Sequence, residues 1–257
     1  MDRFKGLFAL LCLFVSAVFQ HGVAAQERVD LQLVLAVDVS SSMDEQERAL
    51  QRRGYEAAFR SPEVIAAIQS GPRGSIAVTY FEWSGTNAQQ LIVPWSRISD
   101  EASSFAFSRL LETITPRKHD TTSISGAMAF AERLLVESPL VGDRQVLDIS
   151  GDGPNNQGPQ VDLMRNELVQ KGITINGLPL LMKPHEHHRL GIRSMDEYYK
   201  SCVIGGSGAF TVTARTWEEF PRALKKKLVL EIANLSPRKN KARLLLASNR
   251  NICANPG

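Results

Sequence analysis

Long apolar runs are nearly missing from this chain: one spans Leu7 to Phe19, and no comparable run follows. A polytopic membrane protein is thereby excluded, because each crossing needs about 20 apolar residues. Internal repeats and low-complexity tracts are also missing, which excludes solenoids and repeat arrays. Cysteine is scarce, with 3 in 257 residues. Strong charge of one sign is absent too, the formal net charge being +3. Even that excess is local. The segment after Asn234 carries Arg238, Lys239, Lys241, Arg243 and Arg250 with no acid. Without that tail and the first residues, the remainder is mildly acidic, so charge gives no argument for nucleic acid. The tail reads as a solvated end, with contact to an anionic surface as the alternative.

What is present starts with a targeting pattern. Arg3 and Lys5 precede the apolar run, and Val23-Ala24-Ala25 supplies small residues at a cleavage point. The run is short for a membrane helix. The expectation is a signal peptide over 1–25, a mature chain from Gln26, no membrane span after leader removal, and a periplasmic or secreted, soluble product. A retained anchor is the alternative. Leader removal takes Cys12 and leaves Cys202 and Cys253. An oxidising compartment lets these two pair. Equally, Cys202 in the apolar stretch Cys202-Val203-Ile204 fits a buried, unpaired thiol. Both readings stay open.

Strand-like and helix-like segments alternate through 26–234, the signature of βαβ architecture. Leu31 to Val37 is a short apolar run of β-formers, read as a buried strand. Asp44 to Phe59 reads as a helix with acids in its first turn, and a shorter helix starts at Ser61-Pro62. Strands follow at Ser75–Phe81 and Leu91–Trp95, paired as a hairpin across Ser84 to Asn87. Glu101–Ile114 and Ser123–Leu135 read as helices, and Gln145–Ile149 as a buried strand. Helix, strand and short helix follow at Val161–Lys171, Ile173–Leu181 and Met195–Lys200. A last strand at Ala209–Thr213 and a closing helix at Trp217–Ala233 complete the set. The fold class is a doubly wound α/β domain: a central, mostly parallel sheet, helices on both faces and one antiparallel edge strand. A boundary near Asn234 leaves 235–257 as the basic tail.

Three strand or loop ends carry chemistry. Directly after the first strand comes Asp38-Val39-Ser40-Ser41-Ser42. Open α/β sheets bind ligands at the carboxyl ends of their strands. A carboxylate with neutral hydroxyl oxygens suits a hard cation such as Mg²⁺. An ordinary helix cap is the plain alternative. The second element is Ser150-Gly151-Asp152-Gly153, beyond the strand of Val146 to Ile149. The third is the hydroxyl-rich Asp120-Thr121-Thr122-Ser123-Ile124-Ser125, opening the helix of Gly126 to Leu135. Singly, Asp152 reads as a turn residue and Thr122 as an N-cap.

Together these residues resemble a von Willebrand factor A-type domain with a metal-ion-dependent adhesion site (MIDAS). That pattern is D-x-S-x-S after the first strand, a later Thr, and an Asp in a (T/S)DG-like turn. Asp38, Ser40 and Ser42 match the first element. Asp152 matches the last, with Gly151 where the usual Thr stands. Thr122 fits the middle element, with Thr121 as the alternate, and His119-Asp120 replace the usual glycine pair. The resemblance covers about Val29 to Asn234, and the Cys202-Val203-Ile204-Gly205-Gly206 stretch and leader are similar to a bacterial exported subgroup without an established function. It implies a metal held by Asp38, Ser40, Ser42, Thr122 and Asp152. The ion is Mg²⁺, with Mn²⁺ or Ca²⁺ as alternatives.

The chemistry points the same way. Two carboxylates roughly neutralise a dication, and hydroxyl ligands leave it seeking one more anionic oxygen. An Asp or Glu of a protein partner fills that position, which makes a non-enzymatic adhesion or scaffold module. A metal-dependent hydrolase with His119 as base, or a structural domain with a degenerate site, are the alternatives. His185-Glu186-His187-His188 reads as a solvated loop, with transition-metal binding as the alternative. Ser123-Ile124-Ser125-Gly126-Ala127 lacks both flanking glycines of a nucleophile elbow. Glu82-Trp83 reads as a rim residue pair beside the ligand face.

Overall fold

The apolar run after Asp30 forms the strand on which the rest is assembled. The computed structural model describes residues 26–113, 121–182, 194–235 and 252–254. The leader, His119-Asp120, the His185 to His188 cluster and the basic residues Arg238 to Arg250 lie outside them.

Two short strands, β1 (Arg28–Val29) and β5 (Val141–Gly142), pair in parallel at one edge of the domain. The main sheet contains β2 (Leu31–Asp38), β3 (Ile76–Trp83), β4 (Gln89–Ile98), β6 (Gln145–Gly151) and β7 (Thr174–Pro179), in the order β4-β3-β2-β6-β7. All neighbours run parallel except β4, which returns antiparallel beside β3. Pro94 sits in β4, an edge strand where a missing ladder donor is tolerated.

Every residue of β2 is buried. Leu31, Leu33, Leu35 and Val37 face one core, and Val34 and Ala36 the other. A strand covered on both faces needs apolar residues at successive positions, which is why no alternation is visible in the sequence. The first core is closed by α1 (Glu45–Phe59), α2 (Pro62–Gln69), α3 (Glu101–Leu110) and the last helix, Phe220–Ile232. The second is closed by α4 (Ile124–Val136) and α5 (Val161–Gln170). A single turn, α6 (Met195–Tyr198), then leads directly into a π-helical turn, Tyr199–Val203. Phe220–Ile232 is α7.

Among the described residues, the segment Ala209–Thr213 is not a strand, against the sequence expectation. It makes isolated bridges, Thr211 to Gly177 and, just beyond it, Ala214 to Leu180. Gly206 and Gly208 take φ of 94° and 71°, so the chain turns sharply as it approaches β7 and no continuous ladder forms. Asn234, with φ 56°, ends α7 in the left-handed conformation, and Leu235 N–H returns to Leu230 O.

Cys202, in the π-helical turn, is joined to Cys253 by a disulfide with Cα atoms 5.4 Å apart. Ile252 and Cys253 thereby pack against the second core.

Inside the first layer lies a buried ionic group. Lys227 of α7 is fully buried, with Nζ 2.6 Å from Asp148 Oδ1 of β6, and it also pairs with Glu231 one turn on. Two buried acids share one cation. Burial, then the charge of Asp148, pushes the Glu231 carboxyl up to about 8, against the opposing pull of Lys227. The native state therefore holds a proton that the unfolded chain releases in the ordinary carboxylate range. Stability from this source is full at low pH and falls as pH rises through about 8. Urea unfolding across that window is expected to show a shallower pH slope for Glu231→Gln than for wild type. Lys227→Met strands the two acids and is expected to cost about 3–5 kcal/mol at neutral pH in the same assay.

Candidate functional site

The site is built where β2 and β6 end side by side. Beyond Asp38, Val39 N–H donates to Trp83 O at 2.9 Å, keeping the chain against β3 for one more residue. It then turns. Ser40 N–H donates to Asp38 Oδ1 at 2.8 Å, an Asx turn, and Met43 N–H returns to Ser40 O at 3.1 Å. Asp44 caps α1 in a reciprocal box with Glu47. From the body of that helix Gln51 reaches back and donates to Asp38 O at 2.9 Å. Capping of α1 thus falls to Asp44, and Asp38, Ser40 and Ser42 are left to face one another.

They converge with Asp152. The Ser40 and Ser42 hydroxyls are 3.1 Å apart, and Ser42 Oγ donates to Asp152 Oδ1 at 2.6 Å. The third element arrives on a loop held from the Asp152 side. Thr122 N–H donates to Asn156 Oδ1, and Asn156 N–H donates to Thr122 O, both at 2.9 Å. The N-cap of α4 is Ser123, whose Oγ accepts from Gly126 N–H at 3.1 Å, so the Thr122 hydroxyl has no capping role. A Cβ placed on Gly153 would lie 3.6 Å from Thr122 Oγ1, which sets that hydroxyl against the Asp152 turn. Thr121 differs: its hydroxyl donates to Gln157 Oε1 at 3.0 Å. Of the two threonines, Thr122 is the one whose hydroxyl faces Gly153 in the Asp152 turn.

The electrostatics are those of two neighbouring acids, one of them enclosed by the protein. Asp38 is fully buried. Burial first, and the neighbouring Asp152 second, push its carboxyl up to about 8; the main-chain N–H groups of Ser40 and Asp152 ease its charge only in part. Its Oδ2 has no hydrogen-bond partner among the described residues. Arg52 of α1 is committed elsewhere, held by both oxygens of Glu82 at 2.6 and 2.8 Å. Glu82 and Trp83 are buried, and Glu82 also borders the cavity beside Val39, as a rim residue whose carboxylate serves Arg52.

Two carboxylates and three hydroxyls, all oxygen donors, fit a hard dication, which would restore the ionised form of Asp38. Among the described residues no three His, Cys, Asp or Glu side chains converge as a metal cluster. Any metal here relies on hydroxyl ligands. A cavity of about 370 Å³ opens beside Val39, lined by Ser84, Asn87, Gln89 and Gln90 of the β3–β4 hairpin.

The supporting residues that sequence reasoning missed are Asn155, Asn156 and Gln157. Asn155 Oδ1 accepts from Ser125 N–H at 3.0 Å, and Gln157 Oε1 accepts from Thr86 N–H at 2.8 Å. Three consecutive amide side chains directly after Gly153-Pro154 were the available signal. They tie the threonine loop and the hairpin to the Asp152 turn.

The family model described as "Protein of unknown function (DUF1194)" matches residues 28–236. No curated protein matches the chain. Several solved structures share the fold. The von Willebrand factor domain of the type V pili tip protein Mfa5 from Porphyromonas gingivalis aligns with TM-score 0.54 and 10% identity, over 82% of this chain and 97% of that one. The conserved hypothetical protein BatB from Bacteroides thetaiotaomicron aligns with TM-score 0.51 and 18% identity, over 79% and 99%. Proximal thread matrix protein 1 of the mussel byssus, in a form whose MIDAS motif is occupied by zinc, aligns with TM-score 0.57 and 13% identity. That match covers 79% of this chain and 46% of the byssus protein, so the chain spans less than half of that relative. Identities this low speak for the fold alone. The chain belongs to the DUF1194 family, and its fold is that of a von Willebrand factor A-type domain.

Proposed function

We propose that this protein is an exported, divalent-metal-dependent protein-binding module. Ser40, Ser42 and Thr122 hold the ion through their hydroxyls, with Asp38 and Asp152 balancing its charge. The ion is Mg²⁺, with Mn²⁺ or Ca²⁺ able to take the same oxygen set. The observation that carries the reading is the Ser40–Ser42–Asp152 hydrogen-bond chain beside the buried Asp38.

The ion supplies an electrophilic centre whose remaining position takes an anionic oxygen. The residues orient it, and binding of this kind needs no nucleophile or general base, so the reading is non-enzymatic. A partner's Asp or Glu is the natural occupant in an exported setting. Pilus-tip and byssus-matrix proteins among the structural relatives support a role in holding proteins together. Export rests on the leader pattern over 1–25, with cleavage after Ala25 and a periplasmic or secreted product. The Cys202–Cys253 disulfide is compatible with that setting. Among the described residues no helix is long and apolar enough to cross a membrane.

Titration calorimetry with Mg²⁺ and Mn²⁺ tests the metal site. Asp38→Ala is expected to abolish binding while the far-ultraviolet circular dichroism stays native. Ser40→Ala and Ser42→Ala are each expected to weaken it. Unchanged affinity in Asp38→Ala would remove the assignment.

Affinity capture from a periplasmic or extracellular extract tests the partner. Capture in Mg²⁺ is expected to be lost in EDTA and in Asp38→Ala. A partner retained under both conditions would mean that recognition occurs on another surface.

A further inference from the structure

Gly151 is the last residue of β6, directly before Asp152. Its lack of a side chain is required by two groups that face it. A Cβ at this position would stand 2.8 Å from the Tyr199 hydroxyl and 2.9 Å from Asp38 Oδ2. Neither group has a hydrogen-bond partner among the described residues, and both residues are fully buried. A donor without an acceptor and an acceptor without a donor therefore face the same glycine. Buried polar groups are nearly always paired, because each unmet one costs the desolvation of that group.

Tyr199 is held in this place from several sides. It opens the π-helical turn that also carries Cys202, and so is anchored by the disulfide to Cys253. Its ring lies against β7 at Gly177, where a Cβ would come within 2.5 Å of Tyr199 Cδ1. The neighbouring Tyr198 is spent elsewhere, its hydroxyl accepting from Asn155 N–H at 3.0 Å. After burial itself, the Asp38 carboxylate is the strongest influence keeping the Tyr199 hydroxyl protonated and thus a donor.

We infer that Tyr199 is the positioning residue for Asp38: when a divalent cation is bound, its hydroxyl donates to Oδ2 across Gly151 and holds the carboxylate oriented toward the ion. A neutral donor suits this task. It stabilises the carboxylate without bringing a positive charge that would compete with the ion. Gly151 is the companion requirement, since any side chain there would wedge the two groups apart. The inference rests on the cation reading of the site given above.

The test uses the mature chain, with Mg²⁺ alone as probe, in wild type, Asp38→Ala, Tyr199→Phe, Gly151→Ala and the Tyr199→Phe/Gly151→Ala pair. Tyr199→Phe is expected to weaken Mg²⁺ affinity about tenfold, the worth of a hydrogen bond to a charged group. Its metal-free form is expected to be no less stable than wild type, because an unmet hydroxyl has been removed. Mg²⁺ is expected to produce a near-ultraviolet tyrosine difference spectrum in wild type that Tyr199→Phe lacks. Gly151→Ala is expected to weaken binding as well, and the double variant to bind no worse than the weaker single variant. Wild-type Mg²⁺ affinity in Tyr199→Phe, alongside loss in Asp38→Ala, would overturn this inference and leave the cation site standing. Fully additive losses in the double variant would also overturn it. Absence of Mg²⁺ binding in wild type would overturn both.

Discussion

The constraint on which the rest of the structure depends is the burial of one carboxylate. Asp38 ends a strand whose two faces are both covered, so its side chain emerges inside the protein and not in water. An isolated carboxylate in that position is expensive and must be neutralised, hydrogen-bonded or paired. The surroundings meet part of the demand. Ser40 N–H takes one oxygen, Gln51 secures the carbonyl, and Gly151 lets the backbone of β6 pass close by. The adjacent Asp152 adds to the cost of charging it. An apolar residue at 38 would spare the fold this cost, so the acid is retained at the expense of stability, as at many functional sites.

Sheet order turns that local constraint into a site. With β2 between β3 and β6, the chain leaves β2 in one direction and returns to its other side after β4, α3 and α4. Strand ends from distant parts of the sequence then meet at one end of the sheet, the place where such folds hold ligands. Ser42 and Asp152 are separated by 110 residues yet bonded at 2.6 Å. The threonine loop is brought in by a different device. Asn155, Asn156 and Gln157 bond to the backbone of residues in the loop, α4 and hairpin, so amide side chains substitute for a ladder where no strand runs.

The opposite requirement governs the Lys227 group. There, two acids and a cation are enclosed together, Lys227 pairing with Asp148 of β6 and Glu231 of α7. The two polar groups are rooted four residues apart, at Asp148 within β6 and at Asp152 just beyond its end. The first encloses a cation in the core, and the second gathers the hydroxyls of Ser40 and Ser42 at the end of the sheet. That difference, more than burial alone, separates a structural ionic group from a site open to a ligand. Fold likeness at 10–18% identity cannot make this distinction, because function on a shared fold resides in particular residues.

Much of this was legible in the sequence, and for identifiable reasons. Leu31 to Val37 is apolar at every position but Gln32 because both faces of β2 are covered, and Asp38, Ser40 and Ser42 stand at a spacing set by one turn of backbone. Those are local facts, and local patterns record them. The strand at Ala209–Thr213 was misread because its β-forming residues say nothing of Gly206 and Gly208 bending the chain away from a ladder. That Glu82 also pairs with Arg52, 30 positions away, is not visible in its own segment. The choice between Thr121 and Thr122 depended on Gln157 claiming one hydroxyl while the other turned toward Gly153. Tyr199 gave no signal at all: nothing within its own segment shows that the gap beside Gly151 places it against Asp38. Sequence determined what lies along each strand and turn, since those interactions join near neighbours. Tertiary structure alone decided which ends meet, because contacts between remote segments follow from sheet order and packing.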